Sequence, residues 1–278
     1  AAPARAPPTT DGPAFTPAPL QGPGVFMPPE AYLPGAAEFC RRPGTVVVSD
    51  SLLTGLGRTG KMWAVEHWGV EPDLLCMAKA LSGGHIPIGA VACRKDVFEK
   101  VFNRMDRVMV HGSTFAKNNL AMAAGLATLE ALETEGIVEN AARVGGKLLA
   151  DLQALVPRFE LLKEVRGKGL LIGLEFAEPR SLKLRASWKL VEAANKGLFA
   201  QLITVPLFTR HRILSQVAGH EMHIVKFLPS LTIGDDDVRW VTEAVEDVVA
   251  DAHRVPGAVW SFGKTLARQA LKVRAGTR

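Results

Sequence analysis

Residues 45–93 read TVVVSDSLLTGLGRTGKMWAVEHWGVEPDLLCMAKALSGGHIPIGAVAC, and the order of elements in this stretch decides the fold class. Three short apolar runs punctuate it: TVVVSD at 45–50, LLCMA at 74–78 and IGAVAC at 88–93. Continuous apolar runs of this length, bounded by glycine or acids and separated by longer segments, predict buried parallel strands of an α/β sheet. Asp50 closes the first run, and Lys79 follows the second, just ahead of the flexible Ser82-Gly83-Gly84. Ligands of open α/β sheets bind outside the carboxyl ends of strands, so both residues are candidates for a site.

A lysine so close to an apolar strand end is either a snorkelling side chain or a functional amine. Desolvation there leaves a neutral amine able to form a Schiff base. An aspartate on the adjoining strand end can keep a pyridine nitrogen protonated. A covalent lysine and an acid on the ring nitrogen are what pyridoxal phosphate (PLP) chemistry requires.

Between the two lies Gly55-Leu-Gly-Arg-Thr-Gly60-Lys61, which satisfies G-x-G-x-x-G and the first seven positions of a P-loop. A P-loop needs Ser or Thr after the lysine, and Met62 stands there; a dinucleotide turn leaves its strand directly, and Ser51 to Thr54 intervene after Asp50. The string therefore reads as a glycine-rich connector.

Outward to the N-terminus, eleven of the 18 prolines fall in the first 44 residues, which predicts a loose or extended segment. On the other side, 118–134 and 138–155 read as helices separated by Gly136. Residues 160–176 read as two strands around a Gly167–Gly169 turn, 181–197 as a helix closed by Gly197, 223–233 as a strand, and 234–254 as a helix with acids in its first turn. The three parts are a Pro/Ala-rich segment at 1–44, a remnant of a large domain at 45–134 and an α+β small domain with a basic tail at 135–278.

The 278 residues carry a net charge of +5, but six basic residues after Asp251, from Arg254 to Arg278, leave −1 for the rest. No aromatic-interleaved basic motif accompanies that tail, so nucleic-acid binding is not expected. No apolar run reaches membrane-span length and no signal-peptide order opens the chain, which predicts a cytoplasmic protein without a membrane partner. Three widely spaced cysteines (Cys40, Cys76, Cys93) read as buried reduced thiols. His220 and His223 lack the spacing of a zinc pair, so no metal is expected.

The strings PLQGPGVFMPPEAYLPGAAEFC, SDSLLTGLGRTGKMWAVEHWGVEPDLLCMAKALSGGHIPIGAV and HGSTFAKNNLAMAAGLATLE resemble the class III, ornithine- and putrescine-type, PLP-dependent aminotransferases, from Pro19 to about Asp251. The resemblance implies PLP-dependent transferase fold type I, with a partial large domain and the C-terminal small domain. It makes Lys79 the Schiff-base lysine and Asp50 the partner of the ring nitrogen, and puts Leu52 where a family valine packs on the ring. It aligns Ser113 and Thr114 with the segment that reaches the PLP phosphate of the partner subunit, hence a homodimer. It also implies an amine donor such as ornithine or putrescine and a 2-oxo acid acceptor, and makes the glycine string at 55–61 a surface and interface connector with no nucleotide.

The departures carry information too. The glutamine of the family's Asp-Glu-x-Gln is Leu53, which removes roughly 1 kcal/mol of hydrogen bonding to the ring hydroxyl. Both glutamates of the family's Glu-Pro-x-x-Gly-Glu are missing from Ala18–Pro23, and the substrate-binding arginine is Lys226. A lysine does not reproduce bidentate carboxylate recognition, which favours a diamine-type donor. Residues 1–44 hold neither the phosphate cradle nor the stacking aromatic of the family. The alternative is a truncated, catalytically silent relative that serves as a dimerisation partner.

Overall fold

The computed structural model describes residues 14–42, 44–108, 112–194, 197–219, 221, 223–254 and 257. Two compact units are present, the first drawn from residues up to Gln21 and Met27–Glu139, the second from Gly22–Phe26 and Asn140 onward.

The first unit holds β1 (Ala14–Phe15), α1 (Tyr32–Arg41), β2 (Val46–Asp50), β3 (Leu74–Ala78), β4 (Gly89–Cys93), α2 (Lys95–Val101) and α3 (Asn119–Thr134). Its sheet runs β1-β2-β3-β4, with the first three strands parallel. The first two apolar runs are thus the parallel strands their composition predicts. The third is not: β4 runs antiparallel to β3, with Leu74 opposite Cys93 and Ala78 opposite Gly89. The connection from Lys79 to Ile88 is too short for a parallel crossover, which takes a dozen or more residues. Nor is β4 buried. All five of its residues are exposed and all of β3 is half-buried, because β4 is the sheet edge and no described element covers it.

Residues 14–42 also correct the expectation of a loose N-terminal segment. Leu33, Ala37 and Cys40 form the buried stripe of α1, and the last two pack on Val47 of β2. Pro34 falls in the first turn, where the amide hydrogen that proline lacks has no intrahelical partner to lose. Residues 1–13 of that segment lie outside the described residues. The surface placement expected of the glycine string is corrected as well: Thr54, Gly55, Leu56, Gly57 and Thr59 are all buried within the chain.

The second unit holds α4 (Ile137–Gln153, which starts at the unit boundary), β5 (Leu162–Lys168), β6 (Leu171–Phe176), α5 (Leu182–Ala194), α6 (Leu198–His211), β7 (Gln216–Ala218), β8 (Ile224–Phe227) and α7 (Asp235–Ala252). Its sheet is antiparallel throughout in the order β5-β6-β8-β7. Helices α4 to α7 and this sheet enclose one continuous core in which Trp188 stacks 4.3 Å from Phe199, itself 5.5 Å from Phe176. Asp237 accepts the Gly234 N–H at 2.9 Å, closing the acidic first turn of α7. The basic tail beyond Gly257 lies outside the described residues.

Candidate active site

β2 and β3 lie side by side and parallel, so their carboxyl ends open on one edge of the first unit's sheet. Asp50 is the last residue of β2 and the register partner of Cys76; Lys79 comes directly after the end of β3. The sheet therefore brings together the two residues that the sequence singles out.

Asp50 is half-buried, and its Oδ1 accepts the Leu52 N–H at 3.1 Å in a tight Asx turn. That bond fixes the carboxylate, and Oδ2 takes no hydrogen bond among the described residues. The backbone is anchored on both sides: Asp50 N–H donates to Pro17 at 3.1 Å and Ser51 N–H to Cys76 at 3.1 Å. Behind the strand end, the Ser49 and Ser51 hydroxyls pair at 3.1 Å in full burial. Leu52 and Leu53 are half-buried in the turn that follows.

Lys79 is exposed, and its ammonium meets no partner among the described residues. Its backbone is left-handed, φ 52°, after an extended Ala78. For a residue with a Cβ this conformation costs about 1–2 kcal/mol and persists only where the surroundings impose it, a pattern common at functional sites. Here it begins a 3₁₀ turn, Lys79–Ser82, which ends in Gly83 at φ 65°. Ser82 is buried; its hydroxyl donates to the Ile86 carbonyl at 2.5 Å and accepts the Ile86 N–H at 3.1 Å. The sequence marks this loop as flexible, and the serine's role in closing it depends on a partner four residues on that no motif announces. Burial, followed by the charge of Asp50, pushes the Cys76 thiol above its ordinary value. Of the three cysteines only Cys40 is buried; Cys76 is half-buried and Cys93 exposed, and all are free.

The other predicted residues lie on other elements. Ser113 and Thr114 are exposed in the turn ahead of α3, whose N-cap Asn118 accepts the Ala121 N–H at 2.9 Å. Lys226 lies in β8 of the second unit, buried, with its ammonium donating to the Gly22 carbonyl at 3.2 Å. Across β6 from it, Arg166 donates to the carbonyls of Gly24 and Val25, pairs with Glu164 and Glu175, and stacks 4.3 Å over the Phe26 ring. His223 is engaged with Glu192 at 2.9 Å, His220 lies outside the described residues, and no cluster able to hold a metal occurs among the described residues. No helix among the described residues is long and apolar enough to cross a membrane.

The aminotransferase class-III family profile matches residues 14–249, most of the chain and both strand ends. The chain belongs to the class III aminotransferase family. The putrescine aminotransferase of Pectobacterium atrosepticum is 47% identical over 160 residues, 57% of this chain and 34% of that protein. An uncharacterized aminotransferase of Schizosaccharomyces pombe is 32% identical over 84% of this chain and 47% of its own length. Among solved structures, an amine transaminase from an uncultivated Pseudomonas species, in its PLP-bound form, superposes with TM-score 0.75 at 34% identity, covering 85% of this chain and 52% of that one. The ornithine aminotransferase of Plasmodium yoelii gives 0.73 at 31%, over 86% and 57%. The chain spans between about a third and just over half the length of these relatives.

Class III aminotransferases use PLP, and the residues at the strand ends of this chain are of the kind that the ring half of that cofactor needs. Lys79 offers an exposed amine, Asp50 an oriented carboxylate with one oxygen uncommitted, and Leu52 an apolar side chain in the same turn. The phosphate half has only the exposed Ser113–Thr114 turn to draw on from the residues that the sequence assigned to it.

Proposed function

We propose that this chain serves in PLP-dependent transamination, moving an amino group from an amine donor of the putrescine or ornithine kind to a 2-oxo acid. The observation that carries the reading is the placement of Lys79, exposed and left-handed after β3, on the same sheet edge as the oriented carboxylate of Asp50. Lys79 would hold the cofactor through its amine and, when that amine is free, would be the base that moves a proton at the carbon bearing the amino group. The carboxylate of Asp50, oriented by the Leu52 N–H, would hold the pyridine nitrogen in its charged form. When bound, PLP supplies the electron sink. Leu52 would pack on the ring, and Ser113 and Thr114 would hold the phosphate bound by a second copy of the chain, so that the working unit would be a homodimer.

Lys226 supports a donor without a carboxylate near that point. Its ammonium is buried and spent on the Gly22 carbonyl, and a lysine lacks the fork that grips a carboxylate with two bonds. A diamine is held by its length and by apolar contact, and needs no such grip.

The second reading, a silent family member that acts as a fold or dimerisation partner, is favoured by the exposure of β4 along its whole length. Titration of the purified chain with PLP separates the two. Transamination predicts a visible absorption band, trapping by borohydride as a mass increment on Lys79, loss of the band in Lys79→Ala, and bleaching by putrescine. The silent reading predicts no band and a melting temperature that saturating PLP does not move, since a ligand that binds the native state must stabilise it.

A further inference from the structure

We infer that Ser82 is a positioning residue for Lys79, acting through the backbone of the turn that both residues bound; the inference rests on the transamination reading for its consequence, and on geometry for its substance. Lys79 opens the 3₁₀ turn and Ser82 closes it. The hydroxyl of Ser82 is used twice on one residue, donating to the Ile86 carbonyl and accepting the Ile86 N–H, so that 82–86 is shut into a ring without help from any other side chain. Gly83 N–H returns to Ala80 at 2.9 Å and His85 N–H to Ser82 at 3.3 Å, which continues the same clasp.

The far side of the clasp rests on α3. Leu81 is buried, and Gly125 of α3 leaves room for Ile88 and for the Leu81 carbonyl: a Cβ there would stand 3.2 Å and 3.6 Å from them. Gly83 lies close to Thr128 of the same helix, whose hydroxyl would be 3.4 Å from an added Cβ. The turn is thus pinned at 81–88, and Lys79 is the strained residue that joins it to Ala78, held opposite Gly89 in the β3–β4 pair. A residue in the left-handed region relaxes toward the right-handed one unless its neighbours are fixed. Relaxation at Lys79 would change the direction in which its side chain leaves the strand end next to that of Asp50. Ser82 sits too deep to touch a substrate; its contribution is the direction in which Lys79 presents its amine.

The experiment compares wild type with Ser82→Ala, Ser82→Thr and Ser82→Cys, the last being near-isosteric with weak hydrogen bonding. Without cofactor, the Ile86 amide should exchange with solvent about fivefold faster in Ser82→Ala and Ser82→Cys, as expected for one lost hydrogen bond, and at the wild-type rate in Ser82→Thr. In lysine-labelled protein the Lys79 backbone coupling constant should move toward the right-handed value in the same two variants. With PLP, those two should link Lys79 more slowly and shift the pH midpoint of the visible band, while Ser82→Thr restores both. An unmoved Lys79 coupling constant in both hydroxyl-free variants overturns the inference, and so does a wild-type midpoint in a folded Ser82→Cys protein. Should wild type give no band at all, transamination fails, and the cofactor-free pair of measurements still decides the role of Ser82.

Discussion

Cys76 and Asp50 face each other across the parallel β2–β3 pair, and the aspartate's charge reaches the cysteine's thiol. Burial is the larger cause of the raised thiol, with Asp50 second. Cys40 is raised as well, by burial and then by Asp73, whereas Cys93 is exposed. The thiolate is the reactive form, so alkylation near pH 8 should run fastest at Cys93. Asp50→Asn should bring the Cys76 thiol down and speed its alkylation while leaving Cys40 unchanged. Residue-resolved mass spectrometry over a pH series checks this, and an unchanged Cys76 rate in Asp50→Asn would show that the two residues do not communicate.

Glu175 on β6 makes a pH-dependent contribution to the second unit. Burial pushes its carboxyl up, but hydrogen bonds from Lys163 and Arg166 and their charges outweigh this, so the group titrates below its ordinary 4.5. A carboxyl depressed in the folded state adds stability that is complete above the unfolded value and is lost as pH falls through the folded one. Urea unfolding should therefore show stability falling below pH 4.5, with Glu175→Gln less steep than wild type. Glu160 and Asp235 are depressed too, so the difference between the two curves isolates Glu175. Arg166→Ala should cost about 3 kcal/mol at neutral pH, since it leaves Glu175 short of a partner and strips donors from the Gly24 and Val25 carbonyls.

Legibility of these features in the sequence followed a physical line. Strands β2 and β3 and the Asp50–Lys79 pair could be read because strand ends and β-branched runs are local signals. Antiparallel β4 could not be told from a parallel strand by composition, and its exposure depends on what lies beside it. Helix α6, LFAQLITVPLFTRH, escaped for the opposite reason. Leu198, Phe199, Ala200, Leu202, Ile203 and Leu207 are buried, so it shows little amphipathic stripe, and Pro206 inside it reads as a break. The Ser82 clasp was invisible because a serine beside two glycines has the composition of a flexible loop.

The β4 edge predicts self-association. Gly89–Cys93 carries no charge, its outer backbone groups pair with no described strand, and Val91 is 59% exposed. Uncharged exposed edges template pairing with further strands, and a lysine is the usual guard. Val91→Lys should lower the concentration-dependent growth of light scattering, with unfolding stability within about 0.5 kcal/mol of wild type, as for a surface substitution. Equal scattering from the two proteins would remove β4 as the source.

Two adjacent glycines in α4 should respond to alanine with opposite signs. In a helix interior, alanine is ordinarily better than glycine by about 0.5–1 kcal/mol, because it restricts the unfolded chain. Gly146 is exposed, with nothing within 4 Å of an added Cβ, so Gly146→Ala should gain that amount. Gly145 faces the turn between β5 and β6, where a Cβ would stand 2.6 Å from the Gly169 Cα and closer still to the Gly169 carbonyl. Those are backbone atoms of a turn whose own φ is 53°, so relief requires the helix or the hairpin to move. Overpacking of this kind costs about 1–3 kcal/mol, more than the propensity gain. Gly145→Ala should therefore destabilise while Gly146→Ala stabilises, by chemical denaturation at matched pH. A stabilised Gly145→Ala would mean that α4 does not approach the hairpin as closely as the Gly145–Gly169 contact requires.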